Sequence, residues 1–247
     1  MLAAPWARAT EIHVRPAQAA ATVAPREAAT FSFQVASPFE DTKVRVSFGD
    51  FDLDPEGRLV VSRGGERSCA RAARADHGEI ELKARSEAAV RVRVDLPAGP
   101  PGTYWCLLTF EGDTLERRSR DGGTVQVVLR VSVPVLVTVL GGGPAKVTAT
   151  FSEPPERRDG FVAGAVTLQN AGSAAAQITG AVSANEAGSA GIVEIARLPV
   201  GPFLLLPGRS RRFALEIPVK SALPLKLRAE FEYGEGQRLE RESAPAK

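Results

Sequence analysis

The chain has two histidines, His13 and His77, and two cysteines, Cys69 and Cys106, among 247 residues. Imidazole and thiolate bind zinc when they fall at short spacings such as C-x2-C or H-x3-H. Neither histidine has Cys, Asp or Glu partners at such a spacing, so no metal site is expected. There is no G-x-S-x-G turn that would expose a nucleophilic serine. Gly141-Gly142-Gly143 is followed by Pro144 rather than by a lysine and a helix, which rules out a phosphate loop. The acidic stretch Asp50-Phe51-Asp52-Leu53-Asp54-Pro55-Glu56-Gly57 has the composition of a calcium loop but lacks the ligand spacing and the closing glutamate. It reads better as two strand ends joined by an Asp54-Pro55-Glu56-Gly57 turn. The expectation is a protein that is not an enzyme and carries no cofactor or metal.

Both cysteines lie in the first half. An even count in an exported domain favours one disulfide between Cys69 and Cys106, with two buried thiols as the alternative. Lys and Arg number 31 against 29 Asp and Glu, a net charge of +2. That balance gives no field for nucleic acid or an anionic membrane. The clusters Arg117-Arg118-Ser119-Arg120 and Arg157-Arg158 read as solvated loops. No apolar run reaches the roughly 18 residues of a membrane span. Residues 1–9 contain Ala7 and Ala9 in the A-x-A pattern of a secretory cleavage site, without the apolar stretch that should precede it. They read as a signal-peptide remnant or a disordered tail, and the chain as exported.

The elements that would position any site are strands. Phe31, Phe33 and Val35 alternate, as do Val44, Val46 and Phe48, and Val90, Val92 and Val94. Each run is short and bounded by Gly, Pro, Asp or Ser, which is the pattern of half-buried antiparallel strands. Ala70 to Ala75 is too short to stand alone as a helix. From Val125 to Val139 every second residue is apolar, seven Val and one Leu, while Gln126, Arg130, Ser132, Pro134 and Thr138 fall on the other face. This is one long strand or two collinear ones. Pro134 cannot donate to a ladder, so the stretch pairs on one side only or breaks there.

Gly141 to Pro144 ends the run and reads as a linker between a domain at 10–140 and a second at 145–247. In the second half, strands are expected at Ala163–Leu168, Ile178–Val182, Ile192–Leu198, Phe213–Ile217 and Leu223–Tyr233. Leu96-Pro97 is followed by Phe110-Glu111 at the same interval that separates Ile217-Pro218 from Phe231-Glu232. Two copies of one topology would produce this faint repeat. The fold class is all-β, with two immunoglobulin-like β-sandwiches in tandem, each of about 100 residues.

Gly102-Thr103-Tyr104-Trp105-Cys106 is the most specific local pattern. A Tyr two residues before a Cys, after a Pro-Gly turn, matches the tyrosine corner of immunoglobulin-like folds. Further pieces are Ile12-His13-Val14-Arg15-Pro16, the Asp50–Gly57 stretch, Arg67-Ser68-Cys69-Ala70 and the long Val125–Val139 strand. In that order the first half resembles the N-terminal domain of the PapD-like periplasmic pilus-assembly chaperones, over about residues 10 to 140. The second half resembles them only as a generic second sandwich.

The resemblance implies donor-strand complementation. A pilin-like subunit lacks its last strand, and the chaperone lends its long strand to fill the open groove. The donor residues would be Val125, Val127, Leu129, Val131 and Val133. The alternative is that this row faces the domain's own core. The resemblance also implies that an Arg on the first strand and a Lys on the donor strand hold the subunit's terminal carboxylate. Arg15 occupies the first place. The second falls at Pro134, so Arg130, on the same polar face, is the other candidate. The implied partners are a secreted pilin or surface-fibre subunit and an outer-membrane usher, and the implied location is the periplasm. The competing reading is a non-catalytic structural or adhesion module of a cell-envelope assembly, favoured by Pro134 and the missing Lys.

Overall fold

The computed structural model describes residues 11–62, 64–118, 123–188, 191–221 and 223–246. Residues 1–9, read above as a leader remnant or tail, and Ser119 and Arg120 lie outside the described residues. The chain is all-β, and it divides into two compact units. The first takes Met1–Phe51, Val61–Pro100 and Tyr104–Leu140, and the second takes Asp52–Val60, Pro101–Thr103 and Gly141–Lys247.

The strands of the first half are β1 (His13–Arg15), β2 (Ala19–Val23), β3 (Ala29–Ser37), β4 (Thr42–Leu53), β5 (Leu59–Ser62), β6 (Ala73–Ala75), β7 (Glu79–Leu82), β8 (Ser86–Val94), β9 (Gly102–Arg118) and β10 (Thr124–Val139). One sheet has the order β1-β3-β8-β6. The other runs β2-β10-β9-β4-β5, with β7 also on β4. The alternation read from the sequence appears directly as burial. Along β3, every second residue from Ala29 is buried and the residues between are mostly exposed. Phe33, Val35, Val44, Val90, Leu108 and Phe110 fill the space between the sheets, with the Phe33 and Phe110 rings 6.1 Å apart.

The tyrosine corner is formed. The Tyr104 hydroxyl donates to the Pro100 carbonyl at 2.8 Å, while its ring is buried. Tyr104→Phe should lower unfolding stability by about 1 kcal/mol, the usual worth of one such bond. Equilibrium urea denaturation checks this, with an unchanged slope marking an intact fold.

The acidic stretch is structural. The Asp50 carboxylate accepts from the Ser68 hydroxyl and from Gly64 N–H at 2.6 Å. Asp54 accepts from Arg58 N–H at 2.8 Å, and Gly57 N–H donates to the Asp54 carbonyl. Gly57 has φ of 81°, a conformation other residues adopt at a cost. Among the described residues no group of three or more His, Cys, Asp or Glu is arranged to hold a metal.

The second half contains β11 (Val147–Phe151), β12 (Glu156–Arg158), β13 (Phe161–Asn170), β14 (Ala176–Gly188), β15 (Gly191–Leu205), β16 (Ser210–Pro218), β17 (Leu225–Tyr233) and β18 (Gln237–Glu242). Here one sheet is centred on β13, which pairs with β11, β12 and β16, and the other runs β15-β14-β17-β18. Ile178, Leu215, Ile217, Leu227 and Phe231 form its core. Asn170, the last residue of β13, is fully buried. Its amide oxygen accepts from Lys146 N–H and Gly172 N–H, and its amide nitrogen donates to the Ala174 and Leu205 carbonyls. A buried amide is tolerated because its bonding capacity is filled.

Candidate functional site: the outer edge of β10

β10 runs unbroken from Thr124 to Val139 through Pro134. One edge lies against β9 and the other against β2. The β2 contact is parallel and short, pairing Val135–Val139 with Ala19–Val23. Leu140 N–H then donates to the Val23 carbonyl. From Thr124 to Pro134, no strand among the described residues covers that outer edge. Pro134 sits where the cover stops. A residue without an N–H is tolerated where only one edge is paired.

The register with β9 can be read from side chains. Thr109 and Ser132 hydroxyls are 3.1 Å apart, and Arg130 Nε donates to Glu111 at 2.7 Å. Counting on from these pairs, Leu129 lies beside Gly112 and Val127 beside Thr114. The β4 ladder along β9 ends at Val44 and Gly112. The hairpin of β9 and β10 therefore runs past the strand that supports it.

The apolar row grades along its length. Val133 is buried at 1% exposure within the core of the first unit. Leu129 and Val131 are half-buried and rest against that core. Val127 is half-buried and is not among the described residues that pack against it. The side chain of Val125 lies outside the described residues. The row thus faces inward at Val133 and runs out of its own core toward the hairpin tip. At Gly112 a Cβ would come within 2.7 Å of Ile12 Cδ1, a residue of the core. Ile12 occupies the space that a side chain beside Leu129 would otherwise fill.

The opposite face of the hairpin is polar. Glu111 takes two guanidinium bonds from Arg130, the shorter at 2.6 Å, and a longer contact from Arg45 at 3.5 Å. Arg130 is thus already engaged. Val128 breaks the pattern on this face, at 42% exposure.

Arg15 lies on the other sheet, at the end of β1, where its neighbour across the ladder is Gln34. It is exposed and has no ion-pair partner among the described residues. The two candidate anchors are therefore on different sheets. Arg15 is nonetheless close in sequence to the open lane, because β2 begins at Ala19 beside β10. A strand filling the lane parallel to β10 would run toward Ala19, and its C-terminal end would meet the Arg15–Gln18 segment.

Cys69 and Cys106 form a disulfide at a sequence separation of 37. Both are fully buried. Cys106 is on β9, and Cys69 is in the connection between β5 and β6. That connection runs along β9 where β4 has diverged: Ser68 bridges Trp105 in parallel, and Trp105 N–H donates to the Arg67 carbonyl at 2.9 Å. The Trp105 indole donates to the Phe51 carbonyl. The Gly102–Cys106 motif contains Trp105 but does not give this role for its indole. An aromatic donor adjoining a cysteine was the signal available.

No protein-family model and no curated protein matches the sequence. Solved structures do match in shape. One is described as the Salmonella enterica SafA pilin in complex with the SafB chaperone, at 9% identity and TM-score 0.52, covering 98% of this chain and 97% of that one. Another is the class 5 fimbriae chaperone CfaA, at 10% identity and TM-score 0.51, covering 95% and 100%. A third, described as a chaperone–tip adhesin complex of CFA/I fimbriae biogenesis, matches at 9% identity and TM-score 0.51, covering 96% and 100%. The chain has the two-domain immunoglobulin-like fold of the pilus chaperones. No described helix is long and apolar enough to cross a membrane.

Proposed function

We propose that this chain is a non-catalytic periplasmic chaperone for a secreted pilin-like or surface-fibre subunit, which it holds by lending strand β10. The observation that carries this reading is the coincidence of two features on one strand. β10 has an alternating apolar row that runs out of its own core, and over the same stretch no strand among the described residues pairs with its outer edge. An edge of this kind invites another strand, and the apolar side chains give it a groove to fill. Likeness in fold to structures described as chaperone–pilin and chaperone–adhesin complexes supports the same reading. An outer-membrane usher would be the further partner.

The donor residues are Val125, Val127, Leu129 and Val131, while Val133 serves mainly the chaperone's own core. Arg15 is the better carboxylate anchor, because it has no ion-pair partner among the described residues and adjoins the lane's end. Arg130 is spent on Glu111. Arg15→Ala should weaken subunit binding by roughly tenfold or more, the worth of a charge-assisted hydrogen bond. Arg130→Ala should change it by less than about threefold. Equilibrium binding to the purified subunit separates the two.

The absence of a lysine at Pro134 favours the competing reading, a structural or adhesion module. Co-expression with a subunit encoded nearby distinguishes them. A soluble one-to-one complex lost on Val127→Asp supports the chaperone. A folded protein that incorporates stably into the surface assembly itself, rather than being released from it, supports the module.

A further inference from the structure

The second unit has an apolar opening of its own, at the end of the sheet formed by β15, β14, β17 and β18. β15 is the edge strand. Along its outer side, Ile192 to Arg197 has no strand partner among the described residues. Register places Val193, Glu186 and Leu225 on one rung of three neighbouring strands, so their side chains share a face. Leu225 is buried in the core, yet Val193 on the same face is 49% exposed. The core-facing side of this sheet therefore runs off the end of the sandwich. Ile192, at 66% exposure on the opposite face of β15 from Val193, and Leu223, at 47%, add apolar surface at this end of the sheet.

Beside them is a cavity of about 270 Å³, lined by Ile192, Pro224, Leu225 and Pro245 on its apolar side. It is smaller than the roughly 300–1,000 Å³ usual for small-molecule sites, and its scale suits one or two aliphatic side chains. Its charged lining is Glu186, Lys226 and Glu242. Lys226 is paired with Glu242 at 3.5 Å. Glu186, one of the lining residues, is half-buried and has no ion-pair partner among the described residues.

We infer that this end of the second sandwich binds an extended peptide segment in which a Lys or Arg adjoins aliphatic residues. The unpaired edge of β15 would supply main-chain hydrogen bonds, the cavity would take an aliphatic side chain, and Glu186 would receive the cation. The free carboxylate favours this occupant over a fatty acyl carboxylate, which it would repel. The free strand edge favours a peptide over a compact organic ligand. This site is separate from β10 and does not depend on the donor-strand reading.

The probe is the blocked hexapeptide acetyl-Thr-Val-Lys-Val-Ile-Thr-amide, titrated into the nitrogen-labelled full chain and followed by amide shifts. Saturable shifts are expected at Glu186, Ile192 to Ile195 and Leu225. Replacing the peptide's Lys by Glu, or Glu186→Lys in the protein, should each weaken binding by roughly fivefold. Combining both changes should restore it. Ile192→Ser, at an exposed position that leaves the fold intact, should also weaken binding. Shifts that ignore both charge exchanges would overturn the inference. So would equal shifts with decanoate, or shifts that grow with protein concentration alone, which would mark a second copy of the chain.

Discussion

Val133→Asp is expected to unfold the first sandwich, whereas Val127→Asp should leave it folded and unable to hold its partner. The two residues are on the same strand and the same face, but they differ in what covers them. Val133 is 1% exposed within the core. A carboxylate there loses its water and gains no partner, a cost of about 4 kcal/mol or more. That approaches the whole stability of a domain, about 5–15 kcal/mol. Val127 is half-exposed and is not among the described residues packed against that core, so its change should cost less than about 1 kcal/mol. In a subunit groove the same Val127 would be buried. Losing its burial removes about 2 kcal/mol, and stranding a carboxylate there removes more. Subunit binding should fall by at least about a hundredfold. Leu129→Asp should behave likewise with a larger stability cost, because Leu129 rests partly on the core. Urea midpoints and subunit titration check both halves. If Val127→Asp and Leu129→Asp both unfold the protein, the row is core throughout and the chaperone reading fails.

The second large effect is on stability alone. Removing the Cys69–Cys106 bridge, as Cys69→Ser with Cys106→Ser, should cost about 4 kcal/mol. The figure follows from releasing a loop of 37 residues in the unfolded chain. The bridge also fastens the Arg67–Cys69 segment beside Trp105, where β4 no longer covers β9. The double variant should therefore lose main-chain protection first around Arg67 to Cys69. Urea denaturation with and without reductant measures the cost. A difference below about 1 kcal/mol would mean that the packing around Trp105 holds this segment by itself. In the oxidised protein no free thiol should be found after denaturation.

Much of the fold was legible because two-residue periodicity is a local property. β3, β4 and β8 alternate in sequence and alternate in burial, and the tyrosine corner is local within a few residues. β10 was legible as a long alternating strand, but its division into core and open segments was not. Val127 and Val133 are the same residue type on the same face. What separates them is where β2 and β4 stop pairing with their neighbours, and no run of ten residues encodes that. β6 was hidden for a related reason: Ala73–Ala75 has no apolar alternation, and forms a strand because β8 pairs with it. Arg130 is a candidate anchor by the resemblance and by its place on the polar face of the donor strand. The structure shows it held by Glu111, nineteen residues away in sequence. The even cysteine count pointed to a bridge, and the structure contains it. The acidic stretch looked like a ligand set in composition. Its Asp50 and Asp54 carboxylates are consumed by nearby N–H and hydroxyl donors.

The central claim is that the uncovered edge of β10 takes a strand from the partner. Hydrogen exchange on the chain alone and in complex with its subunit tests it most directly. The outward-facing amides between Thr124 and Val133 should exchange freely in the chain alone and become strongly protected in the complex, with Val135–Val139 unchanged beneath β2. A stable complex in which the Thr124–Val133 amides exchange as fast as before would contradict it.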